Sequence, residues 1–369
     1  MSGTEKKEKK KRSSLSVLII ILASFMAFTL IIATVGIIYV RTKFNYKYHK
    51  LDSSTEDLGC EEVIKDEIIN IALFGVDTRS KTSFSGRSDS IMILSLNTTN
   101  KKIKLISVLR DSFVPIEKNG NVKYSKINSA YASGGPELAI KTLNSVFALD
   151  ISEYATVNFS GMENIIDAVG GVYIELTQAE IKVINNTISE QAKKYGGDKS
   201  DYKLSAAGKN HLNGLQAVSY SRIRSTSTID GTSNDYGRTD RQRYVLQQLF
   251  TKALSLKKAD FVDIIGELAP YCQTSLSYTE ILNIALKMLL YSPTFEQSRV
   301  PFTDYTMPTP KTNAGSVVYY DLNFAANIIH SFIYDDIKPE DYIAQNGIEK
   351  NDWFAQGYTL PVIKEKKES

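Results

Sequence analysis

Arginine and aspartate carry the chemistry that this sequence offers. The chain has 33 lysines and only 11 arginines. The lysines are scattered. Eight of the 11 arginines fall in two windows: Arg79, Arg87 and Arg110, then Arg222, Arg224, Arg238, Arg241 and Arg243. A guanidinium is a planar fork of donors that grips phosphate or carboxylate bidentately, which an ammonium cannot do. Two such clusters read as an anion site, with Arg–Asp ion pairs as the competing reading. Aspartates stand among them: Asp77 in GVDTRS, Asp89 in GRSDS, Asp111 directly after Arg110, and Asp235 and Asp240 around Arg238. Singly, Asp77 or Asp89 reads as a turn or capping residue. As a pair at adjoining strand ends they read as carboxylates for Mg²⁺, which takes one or two carboxylates plus water and phosphate oxygens.

Elements must bring these residues together. Ile69–Val76 is a continuous apolar run, the pattern of a buried strand. Ser90–Leu96 and Ile103–Leu109, joined by Thr-Thr-Asn-Lys-Lys, read as a hairpin. Pairing the first run with this hairpin sets Asp77 and Asp89 at one sheet edge, where open α/β sheets bind ligands. Pro136 after Gly134-Gly135 suits the first turn of a helix. Further strands are expected at Tyr154–Phe159 and Val172–Leu176, and helices at 161–169, 213–221, 239–257, 260–269, 278–290 and 321–333. In the helix from 239, Arg238, Gln242, Val245, Leu246 and Leu249 share one face, so Arg238 and Gln242 point inward. An arginine at a helix N-terminus opposes the dipole, and a bound anion would reverse that cost; Asp235 and Asp240 offer the simpler compensation. Arg222 and Arg224, two apart, would share a face of an extended segment. Alternating strands and helices with an early hairpin imply one α/β or α+β domain with helices packed on a mixed central sheet; the α/β fold is the reading taken.

Composition narrows the function. The 369 residues are 43% hydrophobic and 23% charged, with mean hydropathy −0.18. A disordered chain and a polytopic membrane protein are excluded. The formal charge of +3 divides unevenly: residues 5–12 carry +4 and the remainder −1. A nearly neutral body implies no nucleic-acid partner. Cys60 and Cys272 are too few for a disulfide scaffold and read as incidental thiols, with a single bridge as the alternative; His49, His211 and His330 have no zinc-binding spacing. Residues 15–40 are 26 residues without a charge. That is longer than a signal-peptide core and sufficient to span a bilayer. Six Lys/Arg precede it and four follow within ten residues, which predicts a cytoplasmic N-terminus. The expected organisation is a basic cytoplasmic tail 1–14, a transmembrane anchor 15–40, a polar stalk 41–66, an extracytoplasmic domain 67–335 and a C-terminal extension 336–369. Residues 303–317, with Pro308 and Pro310, read as a surface loop.

NIALFGVDTR, GRSDSIMILSLN, ISVLRDSFV, KINSAYASGGPELAIKTLN, HLNGLQAVSYSRIR and NDYGRTDRQRYVL occur here in that order. The series resembles the LytR-CpsA-Psr family of bacterial cell-envelope proteins over about residues 67–290, more loosely to about 335. The resemblance implies an α-β-α sandwich with an apolar pocket for a prenyl chain. It implies transfer of a phosphorylated glycopolymer (teichoic acid, capsule or another wall polysaccharide) from an undecaprenyl-pyrophosphate carrier to peptidoglycan. The acceptor would be the C6 hydroxyl of N-acetylmuramic acid, the bond a phosphodiester, and the cofactor Mg²⁺. By motif match Asp77 and Asp89 are metal-linked. Arg87, Arg110, Arg222, Arg224, Arg238 and Gln242 contact the pyrophosphate. Asp111 and Asp235 orient arginines or, in one case, help deprotonate the acceptor, and with Arg110 they form the catalytic set. Asn128 and Tyr131 support them. Helices 139–148 and 244–254 are expected to line the lipid pocket. Leu109 stands where many relatives have proline, and Ser225–Ser233 is a short insertion. A lipid-pyrophosphate hydrolase using the same residues and a non-enzymatic envelope regulator are the alternative functions.

Overall fold

The structure, a computed structural model, describes residues 47–51, 57–60, 63–78, 83–195, 202–255, 269–291, 293–302, 306 and 312–348. The tail 1–14, the apolar span 15–40, Arg79, most of the helix expected at 260–269, and Pro308 and Pro310 lie outside them. Among the described residues no helix is long and apolar enough to cross a membrane.

The apolar run forms β2 (Ile68–Val76), after a two-residue strand β1 (Lys47–Tyr48). The expected hairpin forms too, as β3 (Ser88–Asn97) and β4 (Lys102–Val108), antiparallel to each other, with β3 also antiparallel to β2. Its turn is closed by Asn97, whose side-chain oxygen accepts from the Thr99 and Asn100 amides at 3.0 and 2.7 Å. The chain next makes a second hairpin, β5 (Phe113–Lys118) and β6 (Asn121–Lys126), then helix α1 (Asn128–Phe147), β7 (Glu153–Asn158) and α2 (Phe159–Ala168). In α1 the helix breaks at Gly134 and Gly135, the latter at φ 65°, and Pro136 opens its second stretch as expected.

β8 (Val172–Leu176), α3 (Gln178–Tyr195) and β9 (Gly208–Leu212) lead to α4 (Gly214–Ser221) and α5 (Asn234–Leu254). β10 (Cys272–Thr274), α6 (Tyr278–Tyr291), β11 (Thr294–Val300), α7 (Leu322–Tyr334) and α8 (Pro339–Gln345) complete the order. Seven strands form the main sheet, in the order β1-β10-β7-β2-β3-β4-β11. It is mixed: β7 runs parallel to β2 and β11 parallel to β4, while β2, β3 and β4 alternate.

Both faces of this sheet are apolar, as continuous hydrophobic strands require. Ala72, Phe74, Ile91, Ile93 and Ile106 pack under α1 and α7. Ile71, Met92, Leu94 and Leu105 pack under Leu246 and Phe250 of α5 and Ile281 and Ile284 of α6. The architecture is therefore an α-β-α sandwich. β8 and β9 are not part of the main sheet; they form a separate ribbon over a second core shared with α3, α4 and α5.

Two boundaries differ from expectation. Within the expected stalk, Lys47–Tyr48 pairs with β10, and Leu51 and Leu58 are buried in the main core, so this part packs with the domain. Helix α5 begins at Asn234 rather than 239, because Gly237 is accommodated in its first turn, tight against Thr232. Cys60 and Cys272 form no disulfide, and burial pushes the Cys272 thiol up to about 12.

Candidate active site

Three strand ends converge. β2 finishes at Val76, so Asp77 stands just beyond it, exposed; β3 starts beside it; β4 finishes at Val108, two residues before Arg110. Gly75 pairs with Ser90, but Val76 pairs with Ser88, leaving Asp89 as the extra residue of a β-bulge. Bulges re-aim a side chain at a sheet end, and Asp89 accepts from Arg110 Nη1 at 2.5 Å. Gly75 permits the close strand approach here: a Cβ on it would lie 2.9 Å from Ser90 Cβ.

Helix α5 meets this edge with its first two turns. Asp235, Arg238 and Gln242 follow one another along one side. Arg238 is 3% exposed, and its Nη2 donates to Asp235 Oδ2 at 3.0 Å. Arg224 Nε lies 3.4 Å from Asp235 Oδ1, and Arg110 Nε 3.9 Å from the same oxygen. Asp235 is thus shared by three guanidinium groups. Asp111 is 3.9 Å from Arg110 Nε and is held by Lys126 Nζ at 2.9 Å. Burial lowers the Arg238 pKa to about 10; Asp235 opposes the shift, and Arg110 and Arg224 add to it. Arg238 therefore stays cationic at neutral pH. Arg110 Nε, Arg238 Nε and Gln242 Oε1 are buried with no hydrogen-bond partner. An unsatisfied buried donor costs about 1–3 kcal/mol, and an anion against the two guanidinium edges would recover it.

The other arginines divide. Arg87 stands exposed at the same sheet end. Arg222, at the C-terminus of α4, leaves the cluster, with its guanidinium 4.4 Å over the Phe159 ring. Arg241 is fully buried: Nε donates to Glu180 Oε1 at 2.8 Å, Nη1 to Ile223 O at 3.1 Å and Nη2 to Thr226 O at 3.0 Å. It anchors the loop that presents Arg224. Arg243 and Arg299 both bind Asp240. For Arg241 and Arg243 the ion-pair reading of the sequence holds. Asn128 donates its amide to Arg110 O at 3.2 Å, and Tyr131 contacts Thr156 at 3.1 Å, both supporting contacts. Leu109 donates its amide to Val300 O at 2.9 Å, a bond that proline could not make.

Next to the cluster lies an apolar cavity of about 270 Å³. Met92 and Leu94 of the sheet, Phe159 and Met162 of α2, and Leu246 and Phe250 of α5 line it, with Gln242 and Ser90 on its polar side. Val245, Leu246, Leu249 and Phe250, within 244–254, line this cavity. Helix 139–148 does not line it: Ile140, Leu143 and Phe147 lie in the core on the opposite face of the sheet. Periodicity marks an apolar face but not the side of the sheet it covers.

Among the described residues no group of three or more His, Cys, Asp or Glu side chains is placed to hold a metal ion. Asp77 and Asp89 stand at one sheet end beside the arginine cluster, with Asp89 paired to Arg110. Hard oxygen donors of this number fit Mg²⁺ and do not fit zinc. Lys126, partner of Asp111, and Glu180, partner of Arg241, carry no charge or spacing signal in the sequence beyond the place of Lys126 in the KIN stretch.

Sequence and fold place the chain among known proteins. The LytR_cpsA_psr family model matches residues 37–326. A relative from Enterococcus faecalis, named polyisoprenyl-teichoic acid–peptidoglycan teichoic acid transferase TagU, is 32% identical over 222 residues, covering 60% of this chain and 65% of the relative. Two solved structures share the fold. TagT bound to LI-WTA aligns with TM-score 0.58 at 19% identity, over 78% of this chain and 99% of that one. The LytR-CPS2A-psr family protein YwtF (TagT) with bound octaprenyl pyrophosphate lipid aligns with TM-score 0.54 at 19% identity, over the same shares. The motif order, the sandwich and the family match over most of the chain have one conclusion: this chain belongs to the LytR-CpsA-Psr family.

Proposed function

We propose that this protein transfers a phosphorylated glycopolymer of the teichoic acid, capsule or wall-polysaccharide class from a polyprenyl-pyrophosphate carrier to a peptidoglycan hydroxyl. One observation carries the reading: an apolar cavity adjoins buried guanidinium groups that have donors to spare. A molecule with a long apolar tail and a diphosphate head matches both halves. The names of the Enterococcus relative and of the octaprenyl-pyrophosphate complex support it.

The acceptor oxygen attacks the phosphorus that bears the glycopolymer. A phosphodiester forms, the bond to the bridging oxygen breaks, and prenyl monophosphate leaves with that electron pair. Such displacements need positioning and charge neutralisation more than covalent help. Arg110, Arg224 and Arg238 neutralise the pyrophosphate, with Arg87 reaching it from the exposed side. Gln242 sits between head and tail. Asp111 and Asp235 orient the arginines, and one of them takes the acceptor proton. Arg222 acts through Phe159 at the cavity wall. Asp77 and Asp89 would hold Mg²⁺, which supplies further positive charge at the phosphoryl oxygens. Residues 15–40 would anchor the chain once in the cell membrane, with the catalytic domain outside.

The test uses the full chain in detergent with Mg²⁺, lipid-linked donor and peptidoglycan. Prenyl monophosphate and wall-linked polymer are expected. Arg110→Ala and Asp89→Ala are each expected to slow transfer roughly 10²–10³-fold. Full activity in both variants would refute the site. Free phosphorylated polymer without wall-linked product would establish the hydrolase instead.

A further inference from the structure

Apart from Lys126, the β5–β6 hairpin has no part in the machinery described so far. It leaves the sheet directly after Arg110 and Asp111 and returns at Lys126, which binds Asp111. Its two faces differ. Val114 and Ile116 are buried in the core with α1. The register pairs Phe113 with Lys126, Pro115 with Tyr124 and Glu117 with Val122, so these six residues form the other face. On it Val122 is 61% and Tyr124 40% exposed. Phe113 is the floor, with the Tyr124 and Tyr319 rings 5.6 and 6.4 Å from its own. Tyr319 is clamped to the catalytic loop: Val318 donates its amide to Asp111 O, and Phe113 donates its amide to Val318 O, both at 2.8 Å. A strip of aromatic and apolar surface thus runs outward from Asp111. Three alternate residues of one strand, Lys126 to Val122, span roughly 14 Å. On this face two exposed alternate residues of one strand, Tyr124 and Val122, lead away from Lys126 and Asp111, and Glu117 at the far end pairs with Lys141.

The position of the strip relative to the cavity says what covers it. The cavity lies on the sheet face of Met92 and Leu94, under α5. The hairpin packs through Val114 and Ile116 into the core of the opposite face, under α1. In an in-line displacement the attacking oxygen enters opposite the leaving oxygen. On the function proposed above, the leaving oxygen belongs to prenyl phosphate, whose chain fills the cavity. The attacking oxygen then comes from the hairpin side.

We infer that the outer face of the β5–β6 hairpin, with Tyr124 and Tyr319 over Phe113, is the binding strip for the acceptor glycan. A tyrosine ring joins a broad apolar face to a polar edge, which suits a pyranose with an apolar C–H face and a rim of hydroxyl groups. The strip grips the glycan beyond the reacting sugar and delivers its hydroxyl toward Asp111. This rests on the transferase reading, and the test separates the two.

The test measures binding of the full chain in detergent to two probes. One is uncrosslinked glycan strands of alternating N-acetylglucosamine and N-acetylmuramic acid; the other is octaprenyl pyrophosphate. Tyr124→Ala is expected to weaken strand binding roughly ten-fold, the loss of one buried ring face, and to leave octaprenyl pyrophosphate binding unchanged. Tyr124→Phe keeps the ring and is expected to bind strands within about two-fold of the native chain. In the transfer assay Tyr124→Ala raises the acceptor KM and leaves kcat near native. Unchanged strand binding in Tyr124→Ala would overturn the proposal, as would loss of strand binding in Tyr124→Phe. Loss of octaprenyl pyrophosphate binding in Tyr124→Ala would assign the strip to the carrier lipid instead. A native chain that binds strands through Tyr124 but not octaprenyl pyrophosphate would leave the strip in place and remove the transferase reading.

Discussion

Replacing Asp235 with asparagine tests the electrostatic design of the site most directly. The substitution keeps shape and a carbonyl acceptor but removes the charge facing Arg238 at 3.0 Å, Arg224 at 3.4 Å and Arg110 at 3.9 Å. At an effective dielectric of about 20, one pair near 4 Å is worth about 4 kcal/mol gross. The Arg224 side chain is 47% exposed, so solvent reduces its share to under about 1 kcal/mol. Arg238 is buried, and breaking a buried pair costs about 3–5 kcal/mol. The retained carbonyl returns about 1 kcal/mol of hydrogen bond. The net loss is about 3 kcal/mol. For a domain of this size that lowers Tm by roughly 5 °C.

Inorganic pyrophosphate brings its own negative charge to the same guanidinium groups. At a hundred-fold excess over Kd it stabilises the native chain by about 2.7 kcal/mol. Without Asp235 to repel it, binding should tighten roughly ten-fold, adding about 1.4 kcal/mol. Thermal unfolding of the full chain in detergent, with and without pyrophosphate, measures both quantities. The variant should melt lower alone and gain more from pyrophosphate. A variant that melts with the native chain, or gains less, would refute the role of Asp235 as the balancing charge.

Arg241→Met leaves Glu180 buried without its partner and should cost about 3–5 kcal/mol; denaturant unfolding reads the loss, and the stabilisation by pyrophosphate should shrink, because the loop that presents Arg224 loses its anchor. Leu246→Trp fills the cavity beside Phe250. It should abolish binding of octaprenyl pyrophosphate while inorganic pyrophosphate still binds, both followed by calorimetry. Ala148 ends α1 in the left-handed region at φ 51°, so Ala148→Gly should stabilise by about 0.5–1 kcal/mol in the same denaturant assay.

Much of the fold was legible because it is written locally. A continuous apolar run, a polar turn and a second pair of runs specify β2, β3 and β4. Their antiparallel order alone puts Asp77, Asp89 and Arg110 at one edge. The helical period likewise turns Arg238 and Gln242 inward. The β5–β6 hairpin is written locally as well, in Asn119-Gly120 at φ 52° and 77° between FVPIEK and the alternating run NVKYSK, a signal that the motif series passes over. The pairing of Lys47–Tyr48 with β10 was not legible, because two residues carry no periodicity.

The arginines mark the limit most clearly. By itself the sequence determined that guanidinium groups and carboxylates are concentrated around one strand edge and one helix start. Only the tertiary structure decided which arginines serve an anion. Arg238, Arg241 and Arg243 lie within two turns of α5, yet one meets Asp235, one Glu180 and one Asp240. Arg222 and Arg224 are two apart, yet one covers Phe159 and the other reaches Asp235. Each residue along a helix turns its side chain by about 100°, so neighbours in sequence face different elements. What an arginine does then depends on the segment packed opposite, which can lie sixty residues away, as Glu180 does from Arg241. Local pattern sets the direction of a side chain; its partner is set by the fold.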